Sequence, residues 1–239
     1  MKKKALPTQM ARAIRSFFAD HLTRVRGTSA HTIHSYRDSL VLLLRFVAFC
    51  GRKDAAALDF DDIGPDEIIA FLDHLEDTRR NAASTRNVRL AAVHAFFRYV
   101  AAQHPDRLEQ CQRILGIPFK RSRSRTVEYL ELEEIHAILS AINCSKPTGR
   151  RDYAMIVTMF NTGARVHEAV DIRANDLQLI KPFQVILRGK GRKTRTCPLW
   201  PQTAGLLREP CKDLAVDLRS PAPVFRNRYG NQISRFGVL

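Results

Sequence analysis

The chain has 239 residues, 45% of them hydrophobic and 26% charged, a composition that excludes a disordered or fibrous protein. Its 39 lysines and arginines exceed its 24 aspartates and glutamates by 39 − 24 = 15, so a polyanion, and nucleic acid above all, is the expected partner. The five cysteines are scattered and never spaced as CxxC, which argues against a disulfide framework and a zinc site.

No apolar run approaches the length of a membrane span, and no signal-peptide pattern follows the basic amino terminus. We therefore expect no membrane partner and a place in the cytoplasm, with nucleoid association following from the nucleic-acid partner. The length allows two modest domains, each with its own core.

Residues 1–105 are predicted to form a small all-helical domain of four amphipathic helices. In chain order these are a helix over about 8–25, a helix capped by Ser29 and ended by Gly51, a helix opened by Gly64 and Pro65, and a helix capped by Ser84 that runs to about Gln103. On the fourth helix, Val88 is expected to face inward, and Arg86 and Arg89 to face outward.

A basic linker is predicted over residues 106–129, where the apolar pattern weakens. Within it, "FKRSRSRTVEY" places Lys120, Arg121, Arg123 and Arg125 within six positions without an acid among them. Such a run is typical either of a solvated tether or of a strap that contacts phosphates, and the charge alone does not choose between the two.

A second domain is predicted over residues 130–239. "LELEEIHAIL" reads as an amphipathic helix, and the more uniformly apolar stretch 150–161 reads as a buried one. Two short strands, 185–187 and 194–199, flank a Gly-Lys-Gly turn, which predicts a β-hairpin with basic residues crowding its tip. A further helix, "QTAGLLREPCKDL", is expected to be interrupted at Pro210.

The stretch "NTGARVHEAVDI" places Arg165 on the first turn of a helix, directly after a Thr-Gly pair, with Glu168 three residues on. Read alone, this spacing is typical of a surface ion pair, and the position of Lys190 between two glycines is typical of a solvated turn residue. The two motifs together carry more information than either alone.

"TGARVHEAVDIRANDLQL" followed by "GKGRKTRTCPL" closely resembles the tyrosine recombinase (phage integrase) family, with its arginine and lysine at a separation of 190 − 165 = 25 positions. The resemblance runs over essentially the whole chain. It implies a mainly α fold: a four-helix SAM-like core-binding domain (1–105), the basic linker (106–129), and a partial α+β catalytic domain (130–239) with a small β-hairpin.

The resemblance also implies roles for particular residues. Arg165 would clamp the scissile phosphate, Glu168 would hold that arginine or its neighbours in place, and Lys190 would protonate the leaving oxygen, without a metal or nucleotide cofactor. His31 and His34 lie at i,i+3 spacing, but no further metal ligand is apparent, so no metal is predicted. The expected DNA-binding residues are His34, Arg37, Arg86, Asn87, Arg89, Lys120, Arg121, Arg123, Arg192 and Lys193.

The sequence departs from the family pattern after the hairpin. The family's His-x-x-Arg motif, its later His or Trp and its tyrosine nucleophile are not found, and Tyr229 is not placed as that tyrosine would be. We expect a truncated chain that is inactive alone, so whether it is itself an enzyme stays open.

The predicted function is that of a DNA-binding site-specific recombinase, with duplex DNA and a full-length recombinase protomer as partners. The alternative is a non-catalytic DNA-binding protein that occupies recombination sites and regulates or competes with a full-length relative. An RNA-binding or purely structural basic helical protein is a third interpretation, and it would leave the pairing of the two motifs unexplained.

Overall fold

The computed structural model describes residues 6–122, 128–189, 191, 193–213, 219–234 and 237, and for residues 210–213 the backbone alone. The chain divides into two compact units, Met1–Thr126 and Val127–Leu239, each with its own hydrophobic core. The division falls within the segment predicted as a linker. None of the helices in the described residues is long and apolar enough to cross a membrane.

The first unit is helical, as predicted. Its elements are α1 (Gln9–Ser16), a π-helical continuation (Phe17–Val25), α2 (Ala30–Cys50), α3 (Pro65–Asp77), α4 (Ala83–Gln103) and α5 (Leu108–Leu115). Short 3-10 turns join several of these helices.

Two of the predicted helix starts are confirmed and one is wrong. The Ser29 hydroxyl accepts the Thr32 backbone N–H at 3.3 Å, and Pro65 opens α3. The fourth helix begins at Ala83, before the predicted Ser84 cap, and its N-cap is Ala82, whose side chain makes no capping hydrogen bond. Because α4 is held along its length by burial, it does not depend on a cap to form.

Helix α4 supplies the inner wall of the first core. Leu90, Val93 and Phe97 are fully buried on it, at helical spacing. The prediction that Val88 faces inward is wrong, since that side chain is 51% exposed. The buried face of α4 begins with Arg86. Val88, two positions on, lies about 200° further round a helix with 3.6 residues per turn and therefore faces the other way.

Part of the predicted linker 106–129 is wrong, because it contains helix α5. Cys111 and Ile114 of α5 are fully buried in the core of the first unit, and Ile117 just after the helix is nearly so. These three residues follow one another at i,i+3 spacing, which is enough apolar surface to hold an eight-residue helix on a core.

The second unit combines helices with a small antiparallel sheet, as predicted. Its elements are α6 (Leu132–Ser140), α7 (Pro147–Thr162), α8 (Val166–Val170), β1 (Leu177–Gln178), β2 (Gln184–Arg188), β3 (Thr194–Pro198) and α9 (Pro201–Asp213). The strand order is β1-β2-β3.

The predicted hairpin is confirmed as β2 and β3, whose register pairs Leu187 with Arg195. Val185 and Leu187 of β2 are fully buried against the helices, which fixes which face of the hairpin points to the core. The two-residue strand β1 was not predicted. Helix α9 continues past Pro210, and the expected interruption there is wrong. On α7, Met155 is fully buried, but Phe160 is 43% exposed, so that helix is less buried than predicted.

Candidate functional site

Arg165 lies at a junction between two helices. Gly163 caps the carboxyl end of helix α7, and its φ of +62° lies in the left-handed region that glycine adopts without a Cβ penalty. Arg165 is the N-cap of α8, and Ala164 before it is buried. The predicted position of Arg165 on the first turn after a helix-starting Thr-Gly pair is therefore wrong, because that pair ends the preceding helix.

Glu168 is the buried centre of the site. Its side chain is fully buried, and its Oε2 accepts the Arg165 backbone N–H at 3.0 Å. Its Oε1 accepts Nη1 of the Arg165 guanidinium at 3.1 Å. The predicted contact between these two residues is thus present, and it is anchored by a buried carboxylate rather than by the exposed pair that the spacing alone suggests.

Arg195 on β3 is the second partner of Glu168, and sequence reasoning did not assign it this role. Its Nη2 donates to Oε2 at 2.8 Å and its Nη1 donates to Oε1 at 3.2 Å, so the guanidinium grips both carboxylate oxygens. Nη2 also lies 3.4 Å from the Gly163 carbonyl oxygen. Glu168 therefore joins the hairpin to the start of α8.

The electrostatics of this cluster favour an anion. The pKa of Glu168 is lowered from 4.5 to about 2, mainly by the hydrogen bond from Arg195 and also by the contacts from Arg165, against the effect of burial. The carboxylate stays charged at neutral pH. Two guanidinium groups share it, which leaves one net positive charge, and the Arg165 side chain is 70% exposed to receive a ligand.

The hairpin turn comes next to the same carboxylate. A Cβ placed on Gly189 would lie 3.1 Å from Oε1 of Glu168, so a larger residue here would crowd the carboxylate. The Gly189 backbone N–H donates to the Lys193 carbonyl at 2.7 Å, and Lys193 itself is exposed. Lys190 and Arg192, the other predicted residues of this turn, lie outside the described residues.

A second buried carboxylate, in the 3-10 turn before β1, repeats this arrangement. Asp176 is nearly fully buried and accepts two hydrogen bonds from the Arg188 guanidinium on β2. Its Oδ2 also accepts the Arg173 backbone N–H at 2.9 Å, as Glu168 does for Arg165. Arg188 is thus a structural residue that holds β2.

In the first unit, His34 and Arg37 are exposed on α2, as their predicted role in binding DNA requires. The Arg37 guanidinium lies 3.3 Å from Asp38, and both side chains are more than half exposed. Such an exposed pair is worth little, so Arg37 can exchange Asp38 for a phosphate at small cost.

The prediction that Arg86 faces outward to DNA is wrong. Arg86 is 5% exposed and its Nε lies 3.3 Å from the Glu76 carboxylate on α3. The helical rotation that exposes Val88 carries Arg86 to the core. Arg89 is half-buried and its Nη1 donates to the Ser39 hydroxyl on α2 at 3.0 Å, so its guanidinium is engaged between two helices.

Asn87 and Lys120 form a contact that the sequence did not suggest. The Asn87 amide donates to the Lys120 carbonyl at 2.7 Å and its oxygen accepts the Lys120 backbone N–H at 3.1 Å. The Lys120 ammonium lies 2.5 Å from Glu76. Asn87 therefore fixes the start of the basic segment onto α4. Arg121 after it is exposed, whereas Arg123 lies outside the described residues.

Tyr229 lies in an exposed turn and is itself 71% exposed. The Arg228 guanidinium lies over its ring at 4.7 Å and donates to its hydroxyl at 2.6 Å. Within the described ranges, no group of three or more His, Cys, Asp and Glu residues is arranged to hold a metal ion.

Comparison with known proteins matches each unit to a family. Residues 15–104 match "Phage integrase, N-terminal SAM-like domain", and residues 128–238 match "Phage integrase family". The protein y4rD of Sinorhizobium fredii is named as an integrase/recombinase. It is 40% identical to this chain over 230 residues, which cover 96% of this chain and 82% of y4rD. Tyrosine recombinase XerC of Roseiflexus sp. is 29% identical over 225 residues, covering 92% of this chain and 69% of XerC.

Among solved structures, a lambda integrase tetramer bound to a Holliday junction has a TM-score of 0.66 and 16% identity. The match covers 98% of this chain and 63% of the lambda integrase chain, so this chain spans less than two thirds of that protein. The fold likeness, the two family matches and the identity to y4rD agree. The chain belongs to the phage integrase family of tyrosine recombinases.

Proposed function

We propose that this chain binds duplex DNA as a site-specific recombinase does, and that Arg165 grips the backbone phosphate at which strands are exchanged. The observation that supports this most directly is the Arg165 guanidinium, which is largely exposed yet held by the fully buried Glu168. A planar guanidinium can bind two phosphate oxygens at once and stabilise the extra negative charge of a phosphoryl-transfer transition state.

The geometry suits such a role because Glu168 orients Arg165 without neutralising the site. The carboxylate contributes one negative charge against the two positive charges of Arg165 and Arg195. The net positive charge attracts a phosphate, and the backbone hydrogen bond from Arg165 to Glu168 at 3.0 Å fixes the base of the side chain. In this proposal Lys190, which follows Gly189 in the sequence, protonates the leaving oxygen.

The remaining DNA contacts are proposed on basic residues of three segments. His34 and Arg37 on α2, Lys120, Arg121 and Arg123 of the basic segment, and Arg192 and Lys193 of the hairpin turn would meet phosphates or base edges. Asn87 acts by holding the basic segment rather than by reaching DNA, and Arg89 acts by holding α4 to α2. Arg86 is not part of this interface.

The proposal extends to partners and place. The lambda integrase relative forms a tetramer on DNA, and another recombinase protomer is the corresponding partner proposed here. A DNA-binding role would place the chain at the nucleoid, in the cytoplasm.

Binding across a salt series tests the proposal. The chain should bind a random-sequence duplex with an affinity that falls steeply with salt, because each phosphate contact contributes a slope of about −0.9 in log K against log salt. Arg165→Ala should make the slope shallower by about 0.9, whereas Arg24→Ala, an exposed arginine already paired with Asp20, should change it less. Equal affinity for a single-stranded RNA of the same length would contradict the proposal.

A further inference from the structure

Arg165 and Arg195 share the Glu168 carboxylate unequally. Arg195 reaches both oxygens, at 2.8 and 3.2 Å, while the Arg165 guanidinium reaches Oε1 alone, at 3.1 Å. A bidentate pair is the stronger of the two arrangements. The better geometry therefore belongs to Arg195, which is the arginine that sequence reasoning left without a role at the site.

This division leaves Arg165 available. Among the described residues, Arg165 has no other side-chain hydrogen bond than the one to Glu168, and its side chain is 70% exposed. Its other guanidinium N–H groups can therefore bind a ligand. A fully buried carboxylate demands partners, because an unpaired buried charge is costly. With Arg195 absent, the side chain that still donates to Glu168, among the residues the structure describes, is that of Arg165.

Arg195 is held in place by more than Glu168. Its backbone lies in the β2–β3 ladder opposite Leu187, which is fully buried. Its Nη2 also lies 3.4 Å from the Gly163 carbonyl, at the end of α7. The strand fixes its backbone, and its side chain is 41% exposed, against 70% for that of Arg165.

We propose that Arg195 is a positioning residue that occupies Glu168 and thereby keeps the Arg165 guanidinium free to bind phosphate. Removing Arg195 would let Arg165 turn inward and form the bidentate pair itself, at the expense of its phosphate contact. This inference rests on the proposed function for its biological meaning, but the competition for Glu168 can be measured without DNA.

The first readout is the reactivity of Arg165 toward hydroxyphenylglyoxal, measured by mass spectrometry on the full chain without DNA. We expect Arg165 to be labelled about tenfold more slowly in Arg195→Ala than in the unaltered chain, because the charge-assisted pair with Glu168 then sequesters its guanidinium. The double variant Arg195→Ala with Glu168→Gln should restore the rate, since a neutral amide no longer competes for it. Unchanged labelling in Arg195→Ala would overturn the proposal.

The second readout is the salt dependence of binding to a random-sequence duplex. Arg195→Ala should make the slope shallower by about 0.9, as Arg165→Ala does, and the double variant should recover it. A double variant that stays shallow would mean that Arg195 contacts DNA directly, which overturns the positioning role. If Arg165→Ala leaves the slope unchanged, the proposed phosphate contact fails, while the labelling result still decides the competition for Glu168.

Two further variants guard against a misfolded Arg195→Ala chain. Arg195→Lys keeps the charge but offers a point donor instead of a fork, so Arg165 labelling should be slower than in the unaltered chain. Glu168→Gln alone should label at least as fast as the unaltered chain. Equal labelling rates in the unaltered chain, Arg195→Lys and Glu168→Gln would overturn the proposal, whether or not Arg195→Ala folds.

Discussion

Replacing Glu168 by glutamine removes the buried charge that joins the hairpin to α8 and keeps the shape of the side chain. The magnitude follows from the pKa of Glu168, which the structure lowers from 4.5 to about 2. That difference corresponds to about 3 kcal/mol of stabilisation at neutral pH, since one pKa unit is worth about 1.4 kcal/mol. The side chain is fully buried, so solvent screens this contribution little.

The sign of the pH dependence is fixed by the direction of that change. Because the folded pKa of Glu168 lies below the unfolded value, its contribution is present in full above about pH 4.5 and is lost as the pH falls toward 2. By about pH 3.5 the unaltered chain has lost about 1.4 kcal/mol of it, whereas Glu168→Gln has none to lose. The cost of the substitution should therefore shrink from about 3 kcal/mol at neutral pH to about 2 kcal/mol at about pH 3.5.

Urea unfolding followed by tryptophan fluorescence measures this cost in the second unit alone, because Trp200 is the one tryptophan of the sequence. Glu133→Gln, the same chemical change on an exposed residue of α6, is the matched control and should cost less than about 0.5 kcal/mol. A cost that is the same at both pH values, or no larger than that of the control, would refute the assignment of Glu168 as a buried, doubly paired carboxylate.

Three further predictions concern other residues. Asn87→Ala should destabilise the first unit by about 1 kcal/mol and speed trypsin cleavage after Lys120 and Arg121, read by mass spectrometry. Asn87→Asp keeps the acceptor for the Lys120 N–H and should speed the cleavage less. Unchanged cleavage in Asn87→Ala would contradict the anchoring role of Asn87. Arg86→Met should leave the salt slope of duplex binding unaltered, because Arg86 is buried. Arg37→Ala should make the slope shallower by about 0.9. The reverse result would restore Arg86 to the DNA interface. Gly163→Ala should lower the free energy of unfolding in urea by about 1 kcal/mol, because the φ of Gly163 is +62°. Gly205→Ala, in α9 with open space around it, should raise the free energy of unfolding by up to about 1 kcal/mol. Changes of equal sign would argue against the left-handed conformation of Gly163.

The fold was most predictable where one chain segment carries its own signals. Helix α2 has a serine cap and an apolar stripe, and the hairpin has alternating residues around a glycine turn, so both were placed close to their observed bounds. Helix α5 was missed because it has eight residues, and its apolar positions gain meaning only from the core that they join. Arg86 was misplaced for a related reason: its buried position depends on Glu76 from another helix.

At the candidate site, the sequence identified Arg165 and Glu168 but not what makes them work together. The burial of Glu168 and its pairing with Arg195 depend on how the hairpin packs against α8, which no local pattern encodes. One usable signal was present. "RVHE" and "RAND" both place an acid three residues after an arginine, and in each the acid accepts that arginine's backbone N–H and then binds an arginine of the hairpin.

The central claim is that Arg165 meets a DNA phosphate, and its protection by duplex DNA tests this most directly. Arg165 should react with hydroxyphenylglyoxal in the free chain, become about tenfold slower to react with a saturating random-sequence duplex at low salt, and regain its rate when high salt releases the DNA. Arg86, which is buried, should stay unreactive throughout. An Arg165 that reacts at the same rate in the DNA-bound and free chains would contradict the account.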